Sequence, residues 1–69
     1  MTPKQCCAAR GALRWLIKDL AERARLTPET INHFEDGRNV RRNTQQDIRQ
    51  AFEKEGIIFD EHGAGVRWG

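Results

Sequence analysis

The 69-residue chain is poor in cysteine and proline, with two of each, and it has no long apolar run. The two cysteines, Cys6 and Cys7, are neighbours. A disulfide between adjacent residues is strained, and neither has another partner. No spacing reads as a zinc site. Two reduced thiols are expected, with Cys6 a small core residue and Cys7 less buried, as suits the cytosol; a redox pair is the alternative. The apolar stretches are too short to span a bilayer, and the N-terminus has no apolar signal region. A cytoplasmic protein with no membrane contact is expected. There is also no Ser/His/Asp arrangement, no phosphate loop and no metal-ligand cluster. His33 and His62 lie far apart with no shared partner. No catalysis, cofactor or metal is therefore expected.

What is present fits one small domain. A chain of this length buries only about 60% of its extended surface, so its core is marginal and a second copy would help. Hydrophobic residues make up 38% and no tract is of low complexity, which argues against disorder. Net charge is only +2, but its distribution is uneven. Arg38, Arg41 and Arg42 fall in one acid-free segment, while acids gather at Glu53, Glu55, Asp60 and Glu61. The basic segment suits phosphate contacts or, more simply, a solvated loop.

Helix signals punctuate the chain. Thr2 and Pro3 read as N-cap and first helical residue, opening a helix to about Arg14 with Cys6, Ala9 and Leu13 on one face. Trp15 and Leu16 anchor the corner. Ile17, Leu20, Ala21 and Ala24 share the inner face of a second short helix, with Lys18, Asp19, Glu22 and Arg23 opposite. After a tight turn at Arg25 and Leu26, Thr27 and Pro28 repeat the start signal. Leu26 and Ile31 can form a hydrophobic staple, Glu29 suits the helix dipole, and Gly37 closes the helix after Asp36. Arg38–Asn43 reads as a loop. Thr44 and Asp47 resemble a capping box for a helix that buries Ile48, Ala51 and Phe52 and ends at Gly56. Residues 57–69 form a β-prone tail, with extended segments at Ile57–Phe59 and Val66–Trp68 around a turn at Glu61–Gly65. A lone hairpin is unstable, so it must pack on the helices or pair with another subunit.

The informative unit is Ile17 to Gly37. Two short helices meet at a tight turn, and small Ala21 allows close approach. Ile31 and Phe34 clamp the second helix while its outer face stays free for a major groove. This is the recipe for a helix-turn-helix. Over nearly its whole length the chain resembles compact members of the XRE family, the Cro and lambdoid-repressor-like regulators. The matching pieces are Thr2-Pro3-Lys4-Gln5-Cys6, Ala8-Ala9-Arg10, Trp15, Asp19-Leu20-Ala21-Glu22-Arg23-Ala24 and Thr30-Ile31-Asn32-His33-Phe34-Glu35-Asp36-Gly37.

The resemblance implies an all-α fold: a four- to five-helix repressor-like bundle over residues 1–56, with a short C-terminal hairpin or extended tail at 57–69, and either that tail or the fourth helix as the dimer surface. It implies a transcriptional regulator, acting as a homodimer on double-stranded DNA with half-sites about 34–36 Å apart. Base contacts would come from Thr27, Pro28, Glu29, Asn32 and His33. Asn32 suits adenine best; Glu29 could meet cytosine or merely serve the dipole, and His33 could be simply exposed. Backbone contacts would come from Arg14, Lys18, Arg38, Arg41, Arg42 and Asn43. Arg10 and Glu35 would form a structural ion pair, and Trp15 a core anchor. Three departures stand out. Leu16-Ile17 replaces a polar pair that grips phosphate, Arg25 replaces a turn glycine, and Pro28 replaces a polar reader. A protein-interaction module, such as an antitoxin or phage control partner, is the alternative.

Overall fold

In the computed structural model, residues 1–61 and 65–69 are described. The chain forms helices α1 (Pro3–Leu13), α2 (Ile17–Ala24), α3 (Pro28–Glu35) and α4 (Arg42–Glu53), then strands β1 (Ile57–Phe59) and β2 (Val66–Trp68). It is thus a mostly helical protein with a small antiparallel hairpin. The register pairs Ile57 with Trp68, Ile58 with Arg67 and Phe59 with Val66. Positions 62–64, the centre of the expected turn and the site of His62, lie outside the described residues.

α1 starts at a complete capping box. The Thr2 hydroxyl accepts from Gln5 N–H at 3.1 Å, and Gln5 Oε1 accepts from Thr2 N–H at 2.8 Å. The helix ends at Leu13, one residue before the expected Arg14, because Arg14 turns left-handed at φ 58°. α3 likewise stops at Glu35, with Asp36 as its cap and Gly37 at φ 84°.

The start of α4 differs more. The helix begins at Arg42, not Thr44, and Arg41 caps it without a side-chain bond. The Thr44–Asp47 capping box therefore does not form; both residues lie inside the helix. Val40 packs on the core and its carbonyl accepts from Gln45 Nε2 at 3.3 Å. That anchoring brings the chain into helical geometry two residues early. Arg42 and Asn43, expected in a loop, sit in the first turn of α4.

One core joins every element. Cys6, Ala9, Leu20, Ala21, Ile31, Phe34, Ile48, Ala51 and Phe52 come from the helices, and Ile57 and Phe59 from β1. Trp15 stacks on Phe52 at 5.7 Å between centroids, and Phe59 meets Phe52 edge-on at 5.9 Å. The hairpin thus packs on the helices through its inner face. Gln5 secures it further, because Nε2 donates to the carbonyls of Asp60 (2.6 Å) and Gly65 (3.2 Å).

Candidate nucleic-acid interface

α2 and α3 are joined by a turn in which Arg25 adopts φ 58° and ψ 43°. Leu26 N–H donates to Ala21 C=O at 2.8 Å, closing α2 and aiming the chain into α3. Thr27 caps α3: its hydroxyl accepts from Thr30 N–H at 3.3 Å and contacts the Thr30 hydroxyl at 2.9 Å. Pro28 follows at the first helical position, where no N–H is needed.

Ile31 and Phe34 are buried, so the opposite face of α3 looks outward. Thr27, Pro28, Glu29, Asn32 and His33 are all exposed. Glu29, Asn32 and His33 are spaced i, i+3, i+4 and share one face. Asn32 offers an amide donor and acceptor, the pattern adenine requires in a major groove. The Thr27 hydroxyl is already engaged as a cap, and Pro28 contributes shape alone.

Beyond Gly37 the cations follow. Arg38, Arg41, Arg42 and Asn43 are exposed, with Arg38 N–H held by His33 C=O at 2.9 Å. Arg14 and Lys18 are exposed at the α1–α2 corner. One guanidinium links that corner to the end of α3. Arg10 donates from Nε and Nη2 to Glu35 at 2.7 and 2.8 Å, and from Nη1 to Trp15 C=O at 3.2 Å. Exposed basic residues thus follow the end of α3 and lie at the corner that Arg10 ties to it.

Glu35 also accepts from two thiols, Cys6 and Cys7, each at 3.2 Å. Burial pushes the Glu35 carboxyl upward in pKa, but hydrogen bonds from Arg10, then Cys6 and Cys7, together hold it below its ordinary value. The Arg10 pKa rises through its bonds to Glu35. Burial, reinforced by the Glu35 carboxylate, raises the pKa of both thiols. Both cysteines are free.

Some of these features have a signature in the sequence. Thr2 with Gln5 is itself a capping-box spacing, and so places Gln5 at an organised helix start. Asp19, three residues after Leu16, accepts from Leu16 N–H at 2.8 Å and occupies the N-terminus of α2. The thiol contacts to Glu35 have no such signature, because they span 28 and 29 residues. Among the described residues no His/Cys/Asp/Glu cluster is placed to hold a metal, and no helix is long and apolar enough to cross a membrane. A cavity of about 570 Å³ opens at the hairpin, lined by Ile58, Asp60, Val66 and Arg67, and involves no residue of α3. No protein-family model and no curated protein matches the chain.

Proposed function

We propose that this protein is a sequence-specific DNA-binding regulator of the Cro/repressor-like helix-turn-helix type. The observation that carries this reading is the two-sided character of α3. Ile31 and Phe34 lock its inner face into the core, while Glu29, Asn32 and His33 project from a helix whose exit leads into Arg38, Arg41 and Arg42. Asn32 is the foremost base reader, with His33 and Glu29 beside it. Thr27 and Pro28 set the start of the helix and its approach to the groove. Arg38, Arg41, Arg42 and Asn43, with Arg14 and Lys18, grip phosphates and fix register. A single short helix reads few base pairs, so two copies act together on a pseudo-palindrome.

The test is selection from a random duplex library, followed by mobility shifts across a salt series. A selected motif with twofold symmetry and steeply salt-dependent binding is expected. Absence of any sequence-preferring binding at low salt would sink the reading. A protein-interaction module is the second reading, favoured by one observation. Leu16 is 61% exposed at the N-terminus of α2, and Asp19 holds the N–H that a phosphate would otherwise meet. That module would bind another protein through the Leu16 corner and would show no preferred duplex.

A further inference from the structure

Among the described residues, the chain leaves α1, α2, α3 and α4 each through a residue with left-handed backbone, and it fills those positions in two ways. Gly37 and Gly56 follow α3 and α4, at φ 84° and 90°. Arginines follow α1 and α2, with Arg14 and Arg25 both at φ 58°. Glycine adopts this conformation freely, whereas a side chain strains it. The dipole at a helix C-terminus favours a cation there, but by less than the strain costs. Nothing inside the molecule offsets the difference for Arg25. Its side chain is exposed and, among the described residues, takes part in no hydrogen bond, ion pair or ring contact. Asp47 lines the same groove, of about 300 Å³, without pairing with it. Arg14 is equally exposed and equally without a partner. Other helix arginines are held: Arg10 by Glu35 at 2.7 Å, Arg49 by Glu53 at 3.0 Å, and Arg23 by Glu55 at 3.5 Å and over the Trp15 ring. A strained residue with no internal compensation points to a contact outside the molecule.

We propose that Arg25 grips a DNA phosphate ahead of the base-reading face, so that Arg25 and Arg14 anchor α2 at both ends, on the two strands that border the major groove. The proposal rests on the duplex-binding reading above and adds a residue to it. In helix-turn-helix docking the second helix lies in the groove and the first crosses the backbone. Here α2 is that first helix, and its eight residues span about 12 Å. The major groove is about 12 Å wide. A cation at each end of α2 therefore has one strand within reach. The turn that presents Arg25 is rigid: Arg25 N–H donates to Glu22 C=O at 3.3 Å, and Leu26 N–H to Ala21 C=O at 2.8 Å. A guanidinium suits this place because its planar fork matches two phosphate oxygens at once. The contact falls before Thr27, whereas Arg38, Arg41 and Arg42 follow the helix, so α3 would be held at its entry as well as its exit.

The experiment compares the wild type with Arg25→Gly, Arg25→Asn and Arg25→Lys by fluorescence anisotropy, on the selected duplex and on a random duplex of equal length, across a salt series. Asparagine tolerates the left-handed backbone but is neutral. Arg25→Gly and Arg25→Asn should bind both duplexes about threefold to tenfold more weakly near 0.15 M salt, with the salt slope reduced by ~0.9 for each copy bound. Their urea midpoints should not fall. Arg25→Lys should keep the slope. A neutral methylphosphonate at one phosphate of each half-site should weaken the wild type and leave Arg25→Gly unaffected. That phosphate should lie on the strand opposite the one that Arg14→Ala identifies in the same way. Wild-type affinity and slope in Arg25→Gly, a loss confined to the selected duplex, a slope that Arg25→Lys fails to keep, or midpoints lowered in both neutral variants would each overturn the proposal. A wild type that prefers no duplex overturns the reading beneath it as well; a wild type that prefers one, matched by Arg25→Gly, overturns the proposal alone.

Discussion

Glu35 ties α3 to α1 through a single carboxylate. Four donors converge on it, two from Arg10 and one each from Cys6 and Cys7. The side chains of Arg10 and Glu35 are only 20% and 9% exposed, so the pair is largely withdrawn from water. Removing one partner leaves the other buried and uncompensated. Glu35→Gln should therefore lower unfolding free energy by about 2 kcal/mol, read as a shifted urea midpoint. An unchanged midpoint would show that the clamp contributes nothing net. Because folding lowers the pKa of Glu35, its stabilisation is complete above the ordinary value of 4.5 and fades as pH falls through the lowered folded value. Urea titrations below pH 4.5 should show this loss in the wild type and a flatter profile in Glu35→Gln. The thiols supply a separate test. Cys7 is exposed, but its raised pKa keeps it protonated at neutral pH. Iodoacetamide should label Cys7 more slowly than free cysteine, and Cys6 only on unfolding, as mass spectrometry can follow; labelling of Cys7 at the free-cysteine rate would rule out a lasting thiol–carboxylate contact. At the outer face, Asn32→Ala should cost about 1–3 kcal/mol of binding to the selected duplex, with little change on random DNA.

At the level of elements, helix ends separate what is local from what is not. The starts of α1 and α3 are legible because Thr-Pro pairs cap and initiate helices through contacts within four residues. The end of α3 is legible for the same reason, since Gly37 accepts a positive φ. The start of α4 is not. Thr44 and Asp47 have the right spacing for a box, but Val40 is tied to the core and Gln45 reaches back to its carbonyl. A long-range contact thus overrides a local preference. The turn at Arg25 shows the converse, a local rule broken because the tertiary structure demands a left-handed residue there. A left-handed non-glycine residue costs roughly 1–2 kcal/mol. Arg25→Gly should raise the urea midpoint, with a net gain up to about 1 kcal/mol once glycine's greater unfolded entropy is counted. A lowered midpoint would mean that the arginine side chain has a compensating contact.

For the whole molecule, the decisive quantity is where charge lies and not how much there is. With a net charge of only +2, general attraction to a polyanion is weak. On the proposed DNA-binding reading, binding draws on the arginines that follow α3. Replacing Arg38, Arg41 and Arg42 together by alanine should reduce the slope of log affinity against log salt by about 2–3, at ~0.9 per phosphate contact. Since all three are exposed, thermal stability should change little. An unaltered salt slope would place the phosphate grip elsewhere, with Arg14 and Lys18 the next candidates.

The sequence alone determined what depends on near neighbours: four amphipathic helices, two Thr-Pro starts, a glycine stop, and a core face on α3 that leaves Asn32 and His33 outside. Only the tertiary structure decided what depends on residues far apart in the chain. It set the start of α4, the gathering of Cys6, Cys7 and Arg10 around Glu35, the stacking of Trp15 on Phe52, and the binding of the hairpin by Gln5. The physical reason is range. Caps and helical periodicity act over three or four residues, whereas a buried hydrogen bond or aromatic stack forms only once the packed core has brought its partners together.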